Sequence, residues 1–346
     1  MMKYSINKEY VLNTAKRILE FDSPTGFCFD IIKVIEEISK SFGYKFETTN
    51  KGCGIITIPG KSNDKVIGLA AHVDTLGAMV RSITNNGTLK FTLLGGPIPP
   101  TLDSEYCKIR TRDGRIYTGT FLSTSPAAHV YPDSKEKKRD PENMEVRIDE
   151  KVLSKKDVEE LGICPGDFIF IDPKTIITES GFIKSRFIDD KGSVAALMGL
   201  LEIFNREKIT PKYTTKLFIS IYEEVGHGAS YIPNDITEMI AVDMGCIGDD
   251  LSCTEYDVSI CAKDSGGPYD YNMVTSLIEL AKANDIKYAV DIYPMYGSDV
   301  GAALRGGNDI RGALIGPGVH ASHGMERTHY EGLENTIKLI VAYLMN

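Results

Sequence analysis

Five short segments of this 346-residue chain end apolar, strand-like runs in residues able to bind a hard or borderline cation. They are A-A-H-V-D (His72, Asp74), F-I-D-D (Asp189, Asp190), I-Y-E-E (Glu223, Glu224), A-V-D-M-G (Asp243) and H-A-S-H-G-M-E (His320, His323). Spread from His72 to His323, they cannot form a local loop site. Only a folded sheet that gathers strand ends could bring them together.

Their spacing suggests different duties. His72 and Asp74 would share a face of an extended segment. There Asp74 could accept the second ring N–H of His72 and fix its tautomer. Of Asp189 and Asp190, one carboxylate could bridge two cations while the other holds a neighbour or caps a helix. Glu223 and Glu224, adjacent on a strand, would point to opposite faces. One would then bind a cation while the other takes a proton from a bound water. That arrangement disfavours a glycosidase, whose two carboxylates face each other across a sugar about 5–10 Å apart. Asp243 has apolar neighbours, and a buried aspartate is rare unless paired or coordinating. His320, His323 and His329 cluster before the last helix, and one of them could complete the set.

Taken singly, each segment has an ordinary reading as a helix cap or as solvated acids past a strand end. Taken together, two histidines and three or four carboxylates without cysteine suit zinc, cobalt or manganese. The carboxylates are too many for one tetrahedral ion, and two ions sharing a bridge fit better. Such a pair polarises a carbonyl and acidifies a water, so the implied chemistry is hydrolysis of an amide or related acyl bond.

The elements that must position these residues are legible as patterns. The first forty-odd residues read as two helices, the second with an apolar stripe at Ile31, Val34, Ile35 and Ile38. Residues 52–59, 66–72, 216–222 and 239–243 read as strands, V-I-G-L-A-A being apolar enough for a strand covered on both faces. Helices are expected after Asp190, over 271–284 and in E-N-T-I-K-L-I-V-A-Y-L at the end. Alternating strands and helices argue for an α/β fold, a mostly parallel sheet with helices on both faces. Ligands would then collect at the carboxyl ends of the strands. Between about 79 and 173 the texture changes to short strands punctuated by N-N-G, R-D-G and G-G-P, as in a small barrel or sandwich. The expected organisation is a catalytic domain over 1–77 and 175–346, with a β-rich domain inserted at 78–174. The charged run 134–143 reads as a solvated loop.

Composition narrows the function. Hydrophobic residues make up 42 %, charged residues 25 %, and the net charge is −9, which disfavours nucleic acid. No apolar run is long enough to span a bilayer, and the first residues lack the apolar core of a signal peptide. Seven cysteines without a C-x-x-C pair look like free thiols. These features lead to the expectation of a cytoplasmic enzyme.

The order H-V-D, D-D-K-x-G, E-E-V-G, V-D-M-G, H-x-x-H-x-x-E resembles the dinuclear metallo-aminopeptidases of metallopeptidase family forty-two. Members have been called glutamyl aminopeptidase, deblocking aminopeptidase and cellulase M. S-P-A-A-H-V near His129, E-E-L-G-I-C-P-G-D-F and Y-G-S-D-V-G-A-A look like further family segments, and the resemblance covers nearly the whole chain. It implies two divalent ions per chain, of zinc, cobalt or manganese. His72, Asp189 and Asp243 would hold one ion. Asp189, Glu224 and a C-terminal histidine would hold the other. The spacing to the final helix favours His323 over His320. Glu223 would be the general base, Asp74 would orient His72, and the Asp189–Asp190 peptide would be cis. The resemblance also implies cleavage of N-terminal residues from short peptides, and dimers, mediated by the inserted domain, that build a tetrahedral dodecamer. Lys191 where arginine is usual, and P-A-A-H for P-P-H, mark a divergent branch. Competing readings are a two-metal deacylase or carboxypeptidase on small acylated substrates, with residues 261–270 lining the pocket, and an endoglucanase.

Overall fold

The computed structural model describes residues 4–346. The chain forms two compact units: one contains residues up to Phe21 with Cys28–Asp74 and Lys174–Asn346, the other Asp22–Phe27 with Thr75–Pro173.

The first unit begins with α1 (Lys8–Leu19) and α2 (Phe29–Ser41). In α2, Ile31, Val34, Ile35 and Ile38 are buried, as their three-and-four spacing requires. Strands β1 (Lys45–Thr48), β2 (Gly54–Ile58) and β3 (Ser62–His72) follow. From Val66 onward every residue of β3 is buried, which explains its unbroken apolar character.

The second unit is a closed barrel of β4 (Gly77–Ile83), β5 (Leu89–Leu94), β6 (Tyr106–Arg110), β7 (Ile116–Ser123), β8 (Met144–Ile148) and β9 (Phe168–Ile171). A short helix α3 (Lys155–Glu160) precedes β9. All neighbours in the barrel pair antiparallel. Closure leaves no free sheet edge. The fully buried Phe91 and Phe121 rings fill the interior edge to face, 5.0 Å apart. The segment Asp22–Phe27 joins this unit although no sequence pattern marks it. Asp22 pairs with Lys108 at 2.7 Å, and Phe27 packs on Phe168 and Phe170.

After the barrel the chain returns through β10 (Ile176–Ile177), β11 (Phe182–Ser185), α4 (Ile188–Arg206), β12 (Tyr213–Ser220), β13 (Ile236–Val242), β14 (Gly245–Cys246) and β15 (Val258–Asp264). It ends with β16 (Gly267–Pro268), α5 (Tyr271–Ala283), β17 (Tyr288–Ile292), α6 (Asp299–Arg305), β18 (Arg311–Val319), β19 (Glu326–His329) and α7 (Tyr330–Met345). The main sheet runs β1-β2-β12-β3-β13-β18-β15-β16. Its four central strands, β12, β3, β13 and β18, are mutually parallel. The flanks are antiparallel: β2 against β12, and β15 against β18. The sheet is thus mixed, parallel through the strands that carry the rim and again where β17 joins β15. α4 is buried over Ile188–Phe204 and packs on β3, α1 and α7.

Parallel order puts the carboxyl ends of β12, β3, β13 and β18 on one rim. Register aligns them: Ser220 is level with His72, and Val242 with Ile315. Among the described residues no helix is long and apolar enough to cross a membrane.

Candidate active site

Four strand ends and one helix start deliver side chains to this rim. His72 is the last residue of β3, and its side chain is 2 % exposed. Its Nε2 lies 3.2 Å from Asp189 Oδ1 and 3.7 Å from Glu223 Oε2. The other Asp189 oxygen, Oδ2, lies 3.6 Å from His323 Nε2, which is in turn 3.7 Å from Glu224 Oε2. One carboxylate therefore sits between two imidazoles. Asp243 follows β13, its amide held by the Ile315 carbonyl at 2.8 Å. Asp189, Glu223, Glu224, Asp243 and His323 line one cavity of 260 Å³, together with Tyr296, Ser298 and Arg305.

His323 is the C-terminal histidine that reaches the cluster. His320 is exposed, and its backbone pairs with Arg327. His329 instead caps α7, its Nδ1 accepting the Glu331 N–H, and it packs against Phe182 and Tyr256.

Two details depart from the sequence reading. Strand β12 stops at Ser220, and Glu223–Val225 form a 3-10 turn after Tyr222, whose φ is +74°. The two glutamates are therefore not on opposite faces of a strand. They are separated by the turn, Glu223 towards His72 and Glu224 towards His323. Second, the Asp74 carboxylate accepts the backbone N–H of Glu223 at 3.1 Å and of Glu224 at 3.3 Å. The His72 Nδ1 is closer to the Asp74 carbonyl oxygen, at 2.9 Å, than to its carboxylate, at 3.5 Å. The Asp189–Asp190 peptide is cis, as the family resemblance implied, and Asp190 Oδ2 accepts the His72 N–H at 3.2 Å. Asp190, more than a helix cap, forms with His72 and Asp243 one triad whose ligand atoms lie within 4.8 Å. His72, Asp189 and Glu224 form a second.

Sequence reasoning gave no role to Glu326, a buried residue on β19. Its Oε2 accepts the Asp189 N–H at 2.9 Å and its Oε1 the His323 N–H at 3.0 Å, so it fixes the backbone of both. The only available signal was its place three residues after His323. Asp299 was likewise passed over, lying in the quoted Y-G-S-D-V-G segment without an assigned task.

The electrostatics follow from crowding like charges in a dry place. Burial, then the charge of Asp243, raises Asp190 well above the usual carboxylate range. Burial raises Glu223 and Glu224 similarly, the neighbouring acids adding to it. Asp243 is pushed up to about 7 by burial and by the charge of Asp189. Burial works against a charged His72, but the hydrogen bonds to Asp189 and Asp74 outweigh it and hold His72 well above its ordinary value. Burial likewise works against a charged Asp189, but His72 and His323 hold it below its ordinary value.

The donor set fits divalent cations. The side-chain oxygens Glu224 Oε1 and Asp190 Oδ1 are buried without a hydrogen-bond partner, in sites where an unmet anionic oxygen is costly. Imidazole and carboxylate donors without thiolate match zinc, cobalt or manganese.

Residues 52–339 match the M42 glutamyl aminopeptidase family. The chain is 47 % identical over 332 residues to the putative aminopeptidase YhfE of Bacillus subtilis (strain 168), covering 96 % of each. Among solved structures it resembles aminopeptidase APDkam598 of the archaeon Desulfurococcus kamchatkensis, with a TM-score of 0.88, 22 % identity, and 98 % and 95 % of the two chains covered. It also resembles the TET1 peptidase of Pyrococcus horikoshii, described as assembling into a tetrahedron or a large octahedral shell. There the TM-score is 0.84, the identity 21 %, and the coverage 97 % and 99 %.

Proposed function

The chain belongs to the M42 glutamyl aminopeptidase family, and we propose that it removes N-terminal residues from short peptides, with Glu223 as general base. His72, Asp189, Glu224, Asp243 and His323 would be the ligands of two divalent ions. The observation that carries this reading is the place of Asp189, one oxygen facing each imidazole. A carboxylate so placed can serve two cations at once.

Bound there, zinc, cobalt or manganese would supply Lewis acidity towards the scissile carbonyl and lower the pKa of water. The rest falls to the chain. Glu223, on the cavity wall, takes a proton as water adds to the carbonyl carbon. When the C–N bond breaks, that proton passes to the leaving amine nitrogen. Asp74 holds the turn that carries Glu223, and Glu326 holds the backbone on either side of the cluster.

Elemental analysis with peptide hydrolysis tests the reading. Close to two ions per chain, chelator-sensitive release of an N-terminal residue, and loss of turnover in Glu223→Gln are expected. A Glu223→Gln protein that keeps both its ions and full activity would remove Glu223 from the mechanism. We further propose a homo-oligomer, supported by the fold shared with the shell-forming Pyrococcus peptidase. Light scattering behind size exclusion tests it, and a purely monomeric chain would overturn it.

A further inference from the structure

The nine residues that follow β12 carry Glu223 and Glu224, and their geometry is set from outside. Ser220 at the end of β12 and Ala229 at the far side of the loop are tied to the same carboxylate. Asp299 Oδ2 accepts the Ser220 hydroxyl, and Asp299 Oδ1 accepts the Ala229 N–H at 2.8 Å. Asp299, at the start of α6, is 2 % exposed.

The neck is tight. A Cβ on Gly228 would stand 2.5 Å from Asp299 Oδ1, 3.0 Å from Ser220 Oγ and 3.1 Å from the Glu223 amide nitrogen. Asp299, Ser220 and the backbone of Glu223 thus meet around a position with room for hydrogen alone. Inside the loop the chain reverses through Tyr222 and Gly226, at φ +74° and +80°. The Gly226 N–H returns to the Glu223 carbonyl at 2.7 Å.

We propose that Asp299 is a positioning residue for catalysis: by closing this neck it sets where Glu223 stands relative to Asp189 and His72. The proposal rests on Glu223 being the base. Asp299 touches no reacting atom in it. Its charge is not what the loop requires; an acceptor for the Ala229 N–H and a polar partner for the Ser220 hydroxyl, at the right spacing, are. An asparagine keeps an oxygen for the Ala229 N–H and offers an N–H to the Ser220 oxygen, so it can close the same neck.

The test is a set of variants assayed on one short peptide, with cation content and melting temperature measured on each. Asp299→Ala is expected to lower kcat ~100-fold, the scale of a small misplacement of a catalytic group, with KM within about twofold. Asp299→Asn is expected to recover most of that loss. Ser220→Ala removes one tie and no charge, and is expected to cost about tenfold in kcat at an unchanged melting temperature, so it answers even if Asp299→Ala does not fold. Glu223→Gln is run alongside. If it is inactive while folded Asp299→Ala and Ser220→Ala match wild type, Asp299 is structural and this proposal fails alone. If Glu223→Gln is fully active, the assignment of the base fails first. Loss of kcat in Asp299→Asn as deep as in Asp299→Ala would also overturn it.

Discussion

Asp74 holds Glu223 by the backbone: its Oδ1 accepts the Glu223 N–H at 3.1 Å, from a side chain with no exposed surface. With Oδ2 on the next amide, one carboxylate fixes two successive peptide groups of the turn that presents both glutamates. Only a group with two acceptor oxygens can do this. Asp74→Asn would turn an N–H towards one of those amides and is expected to lower kcat about 10- to 100-fold, the usual scale for supporting residues around a metal site. The His72 ring keeps the Asp74 main-chain carbonyl as its partner. Cation content should therefore stay near that of wild type. Steady-state kinetics paired with elemental analysis would check this, and a loss of ions with little change in kcat would contradict it.

The two C-terminal histidines separate cleanly. His323→Ala is expected to lose part of the bound metal and most of the activity, because its ring is the one facing Asp189 and Glu224. His320→Ala should stay within about twofold of wild type, because its ring is exposed and its backbone makes the pairing. Ions per chain, measured after dialysis, decide between them.

Cation binding should stabilise the fold, because the ligands come from β3, α4 and the segments after β12, β13 and β18. At a hundred times Kd the linkage amounts to about 2.7 kcal/mol. For a domain of this size that is several degrees in Tm. Melting in chelator and in added zinc, cobalt or manganese would reveal it. Identical curves under all conditions would mean that the cluster holds no ion.

Gly316 on β18 leaves no room for a side chain: a Cβ there would lie 1.9 Å from the Asp243 carbonyl oxygen. The neighbouring Asp243 N–H is bound to Ile315. Gly316→Ala should therefore push β13 and β18 apart where Asp243 is presented, costing about 1–3 kcal/mol or more. A drop in melting temperature accompanied by loss of bound metal is the expected pair of results. A stable, fully loaded Gly316→Ala protein would show that the rim yields more easily than its spacing suggests.

Much of the fold was legible because the burial of each element depends on its own residues. V-I-G-L-A-A is apolar because β3 is central, and the α2 stripe repeats as a helix requires. The β-rich insert announced itself, as a barrel or a sandwich, through turns such as N-N-G, where Gly87 has φ +82°. What escaped depends on distant partners. The early end of β12 reflects a reversal at Tyr222 and a tie from Ser220 to Asp299, 79 positions away. Glu326 and Asp74 act on backbone amides, and an amide has no side-chain signature to pair with. The segment Asp22–Phe27 belongs to the barrel through distant partners, among them Lys108, Phe168, Phe170 and the Thr75 backbone, and such ties leave no periodicity.

The central place of β3 has a consequence for how the protein is made. Its two neighbours in the sheet, β12 and β13, begin at Tyr213 and Ile236. A ribosome adding ~5–20 residues per second therefore releases a strand destined for burial from Val66 to His72 on the order of ten seconds before either partner exists. The barrel segment is translated during that interval. A nascent chain that pauses there exposes a sticky strand, and chaperone capture at that moment is the vulnerability that this chain order builds in.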